Sequence, residues 1–215
     1  MSLLELQDVR KSFDHPVVEG SFSLEKGEHV AVTGPSGSGK STLLHLISGI
    51  LRPDSGKIFV SGVEITALKE TELDQFRARQ IGYVFQTFHL LESLTALENV
   101  EAAVTFAGGS NFSKARALLV EMGLEEKLSS FPGQLSVGQQ QRVAVARAVV
   151  NHPPLVLADE PTANLDESRS REVLDLLRET CRANDASLLV VTHDTASVQG
   201  FDRIIDYREH FQEGP

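Results

Sequence analysis

No stretch of this chain is long and apolar enough to cross a bilayer. Its longest apolar runs, such as residues 188–191, have the length of a strand, whereas a spanning helix needs roughly 20 consecutive apolar residues. The opening, residues 1–13, carries charged side chains throughout in place of a signal peptide's apolar core, so a cytoplasmic location is expected. Cysteine is nearly absent too. Cys181 stands alone, which excludes an intrachain disulfide and a cysteine-cluster metal site and leaves a packed thiol in a predicted helix. Nor is there a surplus of positive charge: the formal net charge is −10 over 215 residues, and a broad nucleic-acid footprint needs excess Lys and Arg. Any phosphate chemistry must therefore use a local positive site. Repeats, low-complexity segments and long linkers are also missing, so residues 1–215 read as one continuously folded unit with a single main core, with or without a small attached subdomain.

What is present is an ordered alternation of strand and helix signals. Residues 3–9 alternate, 17–24 are β-compatible, 29–33 form a short apolar run ending at Gly34, and a strand pair brackets Ser61 and Gly62. Residues 70–79 turn helical and charged, and 81–85 read as a buried strand. From about 87 to 150 the strand signals vanish, and helical runs separated by Gly108-Gly109, Gly123 and Pro132-Gly133 read as a helical insertion. Strands return at 155–158, 187–191 and 203–207, with a charged helix over 168–184 between the first two. Such alternation predicts parallel strands joined by crossovers, with the ligand site at their carboxyl ends.

Two motifs fall at those ends. Gly34-Pro35-Ser36-Gly37-Ser38-Gly39-Lys40-Ser41 fits GxxxxGKS between a predicted strand and a predicted helix over 40–48. Its glycines let backbone N–H groups converge on phosphate oxygens, and the helix N-terminus, with Thr42 in its first turn, adds positive potential. Lys40 is suited to neutralise β/γ-phosphate charge and Ser41 to ligate Mg²⁺. The second motif, Leu155-Val156-Leu157-Ala158-Asp159-Glu160, is an apolar run that stops abruptly in two acids. A buried strand here delivers both carboxylates to one edge. Asp159 suits the Mg²⁺ shell, and Glu160 suits polarisation of an attacking water.

Just upstream, Leu135-Ser136-Val137-Gly138-Gln139-Gln140-Gln141-Arg142 is similar to the signature of ATP-binding-cassette (ABC) proteins. Ser136 and Gln139 also have capping-box spacing, which predicts a helix from there to about residue 149. The resemblance covers about residues 3–207. It implies an α/β fold, with a P-loop NTPase core built on a mixed sheet, an N-terminal antiparallel β subdomain and an inserted α-helical subdomain at about 87–150. It implies ATP and Mg²⁺ as cofactors. It further implies that Ser136, Gly138 and Gln139 face ATP held by the other subunit of an ATP-dependent head-to-tail homodimer. Val137 stands where the family most often has glycine; a β-branched residue resists positive φ, so this position is expected to be helical or extended.

The same resemblance assigns further residues. Gln86 matches the Q-loop glutamine that approaches Mg²⁺ and the attacking water, and His193 the switch histidine that bonds the γ-phosphate and orients Glu160. Asn164-Leu165-Asp166 matches the D-loop that crosses the dimer interface. Phe13 takes the place of the aromatic ring that stacks on adenine. Within the family, Gly62-Val63-Glu64-Ile65, Phe88-His89-Leu90-Leu91 and Leu94-Thr95-Ala96-Leu97-Glu98-Asn99-Val100 resemble the lipoprotein-release, macrolide-export and cell-division group (LolD, MacB and FtsE-like). That implies an ATPase held at the inner face of the membrane by an integral-membrane permease, FtsX- or MacB-like, docked near residues 86–94, with no nucleic-acid partner. A soluble DNA-maintenance or translation ATPase of this superfamily would carry a long coiled coil or a duplicated cassette. A small-molecule phosphotransferase would lack the signature and the switch histidine.

Overall fold

The computed structural model describes residues 2–163, 165 and 167–211. In chain order they form β1 (Ser2–Ser12), β2 (Pro16–Glu25), β3 (His29–Thr33), α1 (Lys40–Ile47), β4 (Ser55–Val60), β5 (Val63–Glu64), α2 (Glu70–Gln80) and β6 (Ile81–Val84). Then come α3 (Ala96–Phe106), α4 (Ser113–Glu121), α5 (Val137–Val149), β7 (Leu155–Asp159), α6 (Glu167–Ala183), β8 (Ser187–Thr192), β9 (Arg203–Asp206) and α7 (Tyr207–Phe211). No described helix is long and apolar enough to cross a membrane.

The antiparallel β subdomain that the resemblance implied is a sheet of its own beside the core sheet, and the two divide by strand direction. The antiparallel one has the order β2-β1-β4-β5, and the parallel one β6-β7-β8-β3-β9. In β1 the simple alternation fails at one point. Leu4 and Leu6 point inward, and so does Val9, which strict alternation would turn outward. A bulge corrects the phase: Leu6 pairs with Phe22 and Val9 with Gly20, so β1 has one residue more than its partner, and the intervening Asp8 has φ 48°. Across the sheet Gly56 makes room for the bulge, because a Cβ there would lie 2.4 Å from the Asp8 carbonyl oxygen.

In β3, β7 and β8 every residue is buried, as expected of parallel strands covered on both faces. Alternate residues divide between two apolar clusters. Val30, Val32, Leu155, Leu157, Leu189 and Val191 face α1 and the antiparallel sheet. Ala31, Val156, Ala158, Leu188 and Val190 face the helices α3 to α6, including Val100, Leu119, Val145 and Leu177. The helical run between β6 and β7 thus shares a core with the parallel sheet. Cys181 lies in this second cluster with no exposed surface, and burial pushes its thiol pKa up to about 12.

The register sets the site. Thr33 pairs with Thr192, Asp159 with Val191, and Val84 with Ala158, so β3, β6, β7 and β8 all end at one edge. At the last strand the structure departs from the expectation over 203–207, because Tyr207 leaves the strand and opens α7.

Candidate functional site

The loop between β3 and α1 leaves that edge as an extension of the sheet, with the Gly34 N–H donating to the Thr192 carbonyl at 3.3 Å. It then turns tightly. At Gly39 φ is 108°, and a Cβ there would lie 2.5 Å from Val17 Cγ1 and 2.6 Å from the Tyr207 hydroxyl oxygen, so both space and backbone demand glycine. Tyr207 is fully buried and donates its hydroxyl proton to the Val17 carbonyl at 2.8 Å, tying β2 to α7 behind the loop. The sequence motif names neither Val17 nor Tyr207, since only the packing brings them here.

A cavity of about 480 Å³ opens in front of this loop. Ser36, Gly37, Gly39, Lys40, Ser41 and Thr42 form one wall. Phe13, His15 and Val17 stand at one end, and Gln86, Glu160 and His193 close the other. Gly34, Pro35 and Ser38 frame the loop from behind, the Ser38 N–H donating to the Pro35 carbonyl at 3.2 Å. Phe13 is 61% exposed, as a ring offered to a planar ligand must be. Its cation neighbour Lys11 lies 5.6 Å from the ring centre, and Asp54 fixes that strand end by accepting from Lys11 Nζ and the Ser12 N–H, each at 2.7 Å.

The charged centre is compact. Lys40 Nζ donates to the Gly34 and Pro35 carbonyls at 2.9 Å each and lies 3.2 Å from Glu160 Oε1. Glu160 sits just beyond β7 at φ 44°, its N–H donating to the Val191 carbonyl. That turn aims the carboxylate at the next strand, where Oε2 accepts from the His193 N–H at 3.2 Å and lies 2.7 Å from His193 Nδ1. The imidazole is 52% exposed, so its far side faces the cavity. Beside this trio Ser41 Oγ donates to Asp159 Oδ1 at 2.9 Å. Burial pushes the Asp159 carboxyl above the usual carboxylate range, opposed by the Ser41 hydrogen bond and the His45 imidazole.

A paired hydroxyl and buried carboxylate, with Gln86 lining the same cavity as Ser41, fit a hard cation that prefers oxygen. Among the described residues no three His, Cys, Asp or Glu side chains converge. A cation here must therefore complete its shell with water and phosphate oxygens, which is the usual habit of Mg²⁺.

Ser136, Gly138 and Gln139 line no wall of this cavity. Ser136 caps α5, with Oγ accepting from the Gln139 N–H at 3.3 Å and the Ser136 N–H donating to Gln139 Oε1 at 2.9 Å. Val137 is the first helical residue, 57% exposed, and tolerates its β-branch there. The exposed N-terminus of α5 is tied to the acid pair by a contact the sequence did not suggest: Gln141 Nε2 donates to the Pro161 carbonyl at 3.0 Å. Asn164 and Asp166 lie outside the described residues.

Residues 18–163 match the sequence profile of the ABC transporter family. The chain is 43% identical to the lipoprotein-releasing system ATP-binding protein LolD of Idiomarina loihiensis, over 94% of this chain and 93% of that protein. This chain belongs to the ABC transporter family. It is the ATP-binding, ATP-hydrolysing cassette of such a transporter and works with ATP and Mg²⁺. Among solved structures, the dimeric post-hydrolysis state of the ATP-binding cassette MJ0796 bound to ADP and Pi superposes with a TM-score of 0.85 at 36% identity, over 95% of this cassette and 94% of that one. The macrolide export ATP-binding/permease protein MacB of Syntrophobacter fumaroxidans is 42% identical over 97% of this cassette, which spans 31% of MacB's length.

Proposed function

We propose that residues 1–215 form one nucleotide-binding domain, with 87–150 as its helical subdomain, acting as half of a head-to-tail homodimer. The observation that carries this reading is the separation of two half-sites on one chain. The cavity holds Lys40, Ser41, Glu160 and His193, while the capped, exposed N-terminus of α5 opens elsewhere. A second copy would bring its Ser136, Gly138 and Gln139 to the open side, where helix N–H groups favour a phosphate.

In this scheme Phe13 stacks on adenine, the N–H groups of 34–42 hold the phosphates, and Lys40 exchanges Glu160 for phosphate oxygens. Mg²⁺, held at Ser41 and Asp159 with Gln86 nearby, supplies charge neutralisation of the transferred phosphoryl group. Glu160 accepts a proton from the attacking water. His193 donates Nδ1–H to Glu160 and fixes its direction. Its Nε2 can donate to a phosphate oxygen only when the ring carries both protons.

The relatives support a membrane partner. LolD is named for lipoprotein release and MacB for macrolide export, which supports an integral-membrane permease of FtsX or MacB type docked near 86–94, with the cassette peripheral on the inner face. The test is an affinity pull-down of tagged Glu160→Gln protein from detergent-solubilised membranes in Mg-ATP, with size exclusion of the soluble fraction. A nucleotide-dependent dimer that co-purifies with a few-span permease is the expected result. Recovery of soluble nucleic-acid proteins alone would overturn the membrane assignment, and a monomer in Mg-ATP would overturn the composite site.

A further inference from the structure

Immediately after Gln86 the backbone does something costly for L-residues. Phe88 has φ 57° and His89 φ 46°, two consecutive side-chain-bearing residues in the left-handed region. Such a pair persists only when its surroundings hold it. Local bonds contribute: the Phe88 N–H donates to the Phe85 carbonyl at 3.0 Å, and the His89 ring meets the Phe85 ring edge-on at 4.9 Å. The distinctive contact comes from far along the chain. Arg147 Nη1 donates to the His89 carbonyl at 2.6 Å and Nη2 to the Phe88 carbonyl at 2.5 Å.

Arg147 is half-buried, burial lowers its pKa, and among the described residues no carboxylate pairs with it. Its fork is therefore committed to two backbone carbonyls. A lysine would replace this planar two-pronged fork with a single ammonium on a shorter stem and change the grip. Arg147 also stands in the last turn of α5, the helix that Ser136 caps, about 16 Å along the axis from it. One rigid element thus carries Ser136 at one end and grips the segment after Gln86 at the other.

We propose that Arg147 is a positioning residue that sets Gln86 in the cavity according to the placement of α5. Seating Ser136 in one composite site would then set Gln86 in the other. This rests on the roles of Gln86 and Ser136 proposed above. Four forms of the full chain test it by steady-state ATP hydrolysis: wild type, Arg147→Lys, Gln86→Ala and the double variant, with thermal melts alongside.

Arg147→Lys should lower kcat by about tenfold to a hundredfold and leave KM for ATP within about twofold, as a displaced catalytic group does. The double variant should be no slower than Gln86→Ala by more than about twofold, because the two act as a unit. If Gln86→Ala is slow and Arg147→Lys slows it further by its full factor, the Arg147 proposal is overturned and the reading of Gln86 stands. Full turnover in Gln86→Ala would overturn both. Arg147→Met, which keeps length and packing, guards against an unfolded lysine variant; loss of fold in both would make Arg147 a stability residue only and sink the proposal.

Discussion

Replacing Glu160 by glutamine should tighten ATP binding while it stops hydrolysis. Lys40 and Glu160 stand 3.2 Å apart, with side chains only 4% and 11% exposed, and in the proposed scheme Lys40 must leave this partner to meet phosphate oxygens. At an effective dielectric near 20, unit charges at that separation attract by about 5 kcal/mol. Much of this is offset, because the Gly34 and Pro35 carbonyls keep hold of Nζ and both ions lose water on pairing. A net of about 1–2 kcal/mol remains, and the amide also removes a negative charge that repels phosphate. At 1.4 kcal/mol per decade this corresponds to roughly 5–30-fold lower Kd. Hydrolysis should fall by about 10²–10⁴-fold with the general base gone. Equilibrium titration with ATP at low protein concentration, where dimerisation does not contribute, reads the first effect, and phosphate release reads the second. An unchanged or higher Kd would refute the idea that Glu160 and ATP compete for Lys40.

The loop before α1 offers a steric comparison. Gly39→Ala collides with Val17 and Tyr207 and should destabilise the fold by about 2 kcal/mol or more, whereas Gly37→Ala, at φ 77° with nothing within 4 Å of the new Cβ, should cost only about 1–2 kcal/mol of backbone strain. Urea unfolding of the two variants decides whether space or φ dominates. At the head of α5, Ser136→Ala should cost about 1 kcal/mol of stability and Ser136→Gly only a few tenths, while both abolish the proposed γ-phosphate contact. Thermal melts should separate the two variants and ATP turnover should not; if glycine restored turnover, Ser136 would be a cap alone. His29, buried at the first residue of β3, has its pKa lowered below the ordinary 6.5, chiefly by burial. The unfolded chain therefore binds this proton more readily, so the site's contribution to stability is full above about pH 7 and is lost as pH falls through 6.5 toward the folded value. Unfolding midpoints from pH 8 to 5 should fall less steeply in His29→Gln, and an identical slope would rule the histidine out as a source.

Much of this molecule was readable from contiguous residues. The span of β3 was legible as 29–33, the start of α5 at its Ser136 cap, and the GxxxxGKS loop between strand and helix, because apolar period, cap chemistry and glycine spacing act within a few residues. The nucleotide chemistry was legible for the same reason. Other features depend on which strands lie side by side. The Asp8 bulge returns Val9 to the core, Tyr207 leaves β9 to back the phosphate loop, and Arg147 grips carbonyls near Gln86. None of these has a local signature, since each arises where segments distant in the chain compete for one volume. So it is at the centre of the site: the sequence determined that Lys40, Glu160 and His193 were present and of the right kinds, whereas the order β7-β8-β3 and its register decided that they meet, because parallel pairing alone brings three separated strand ends to a common edge.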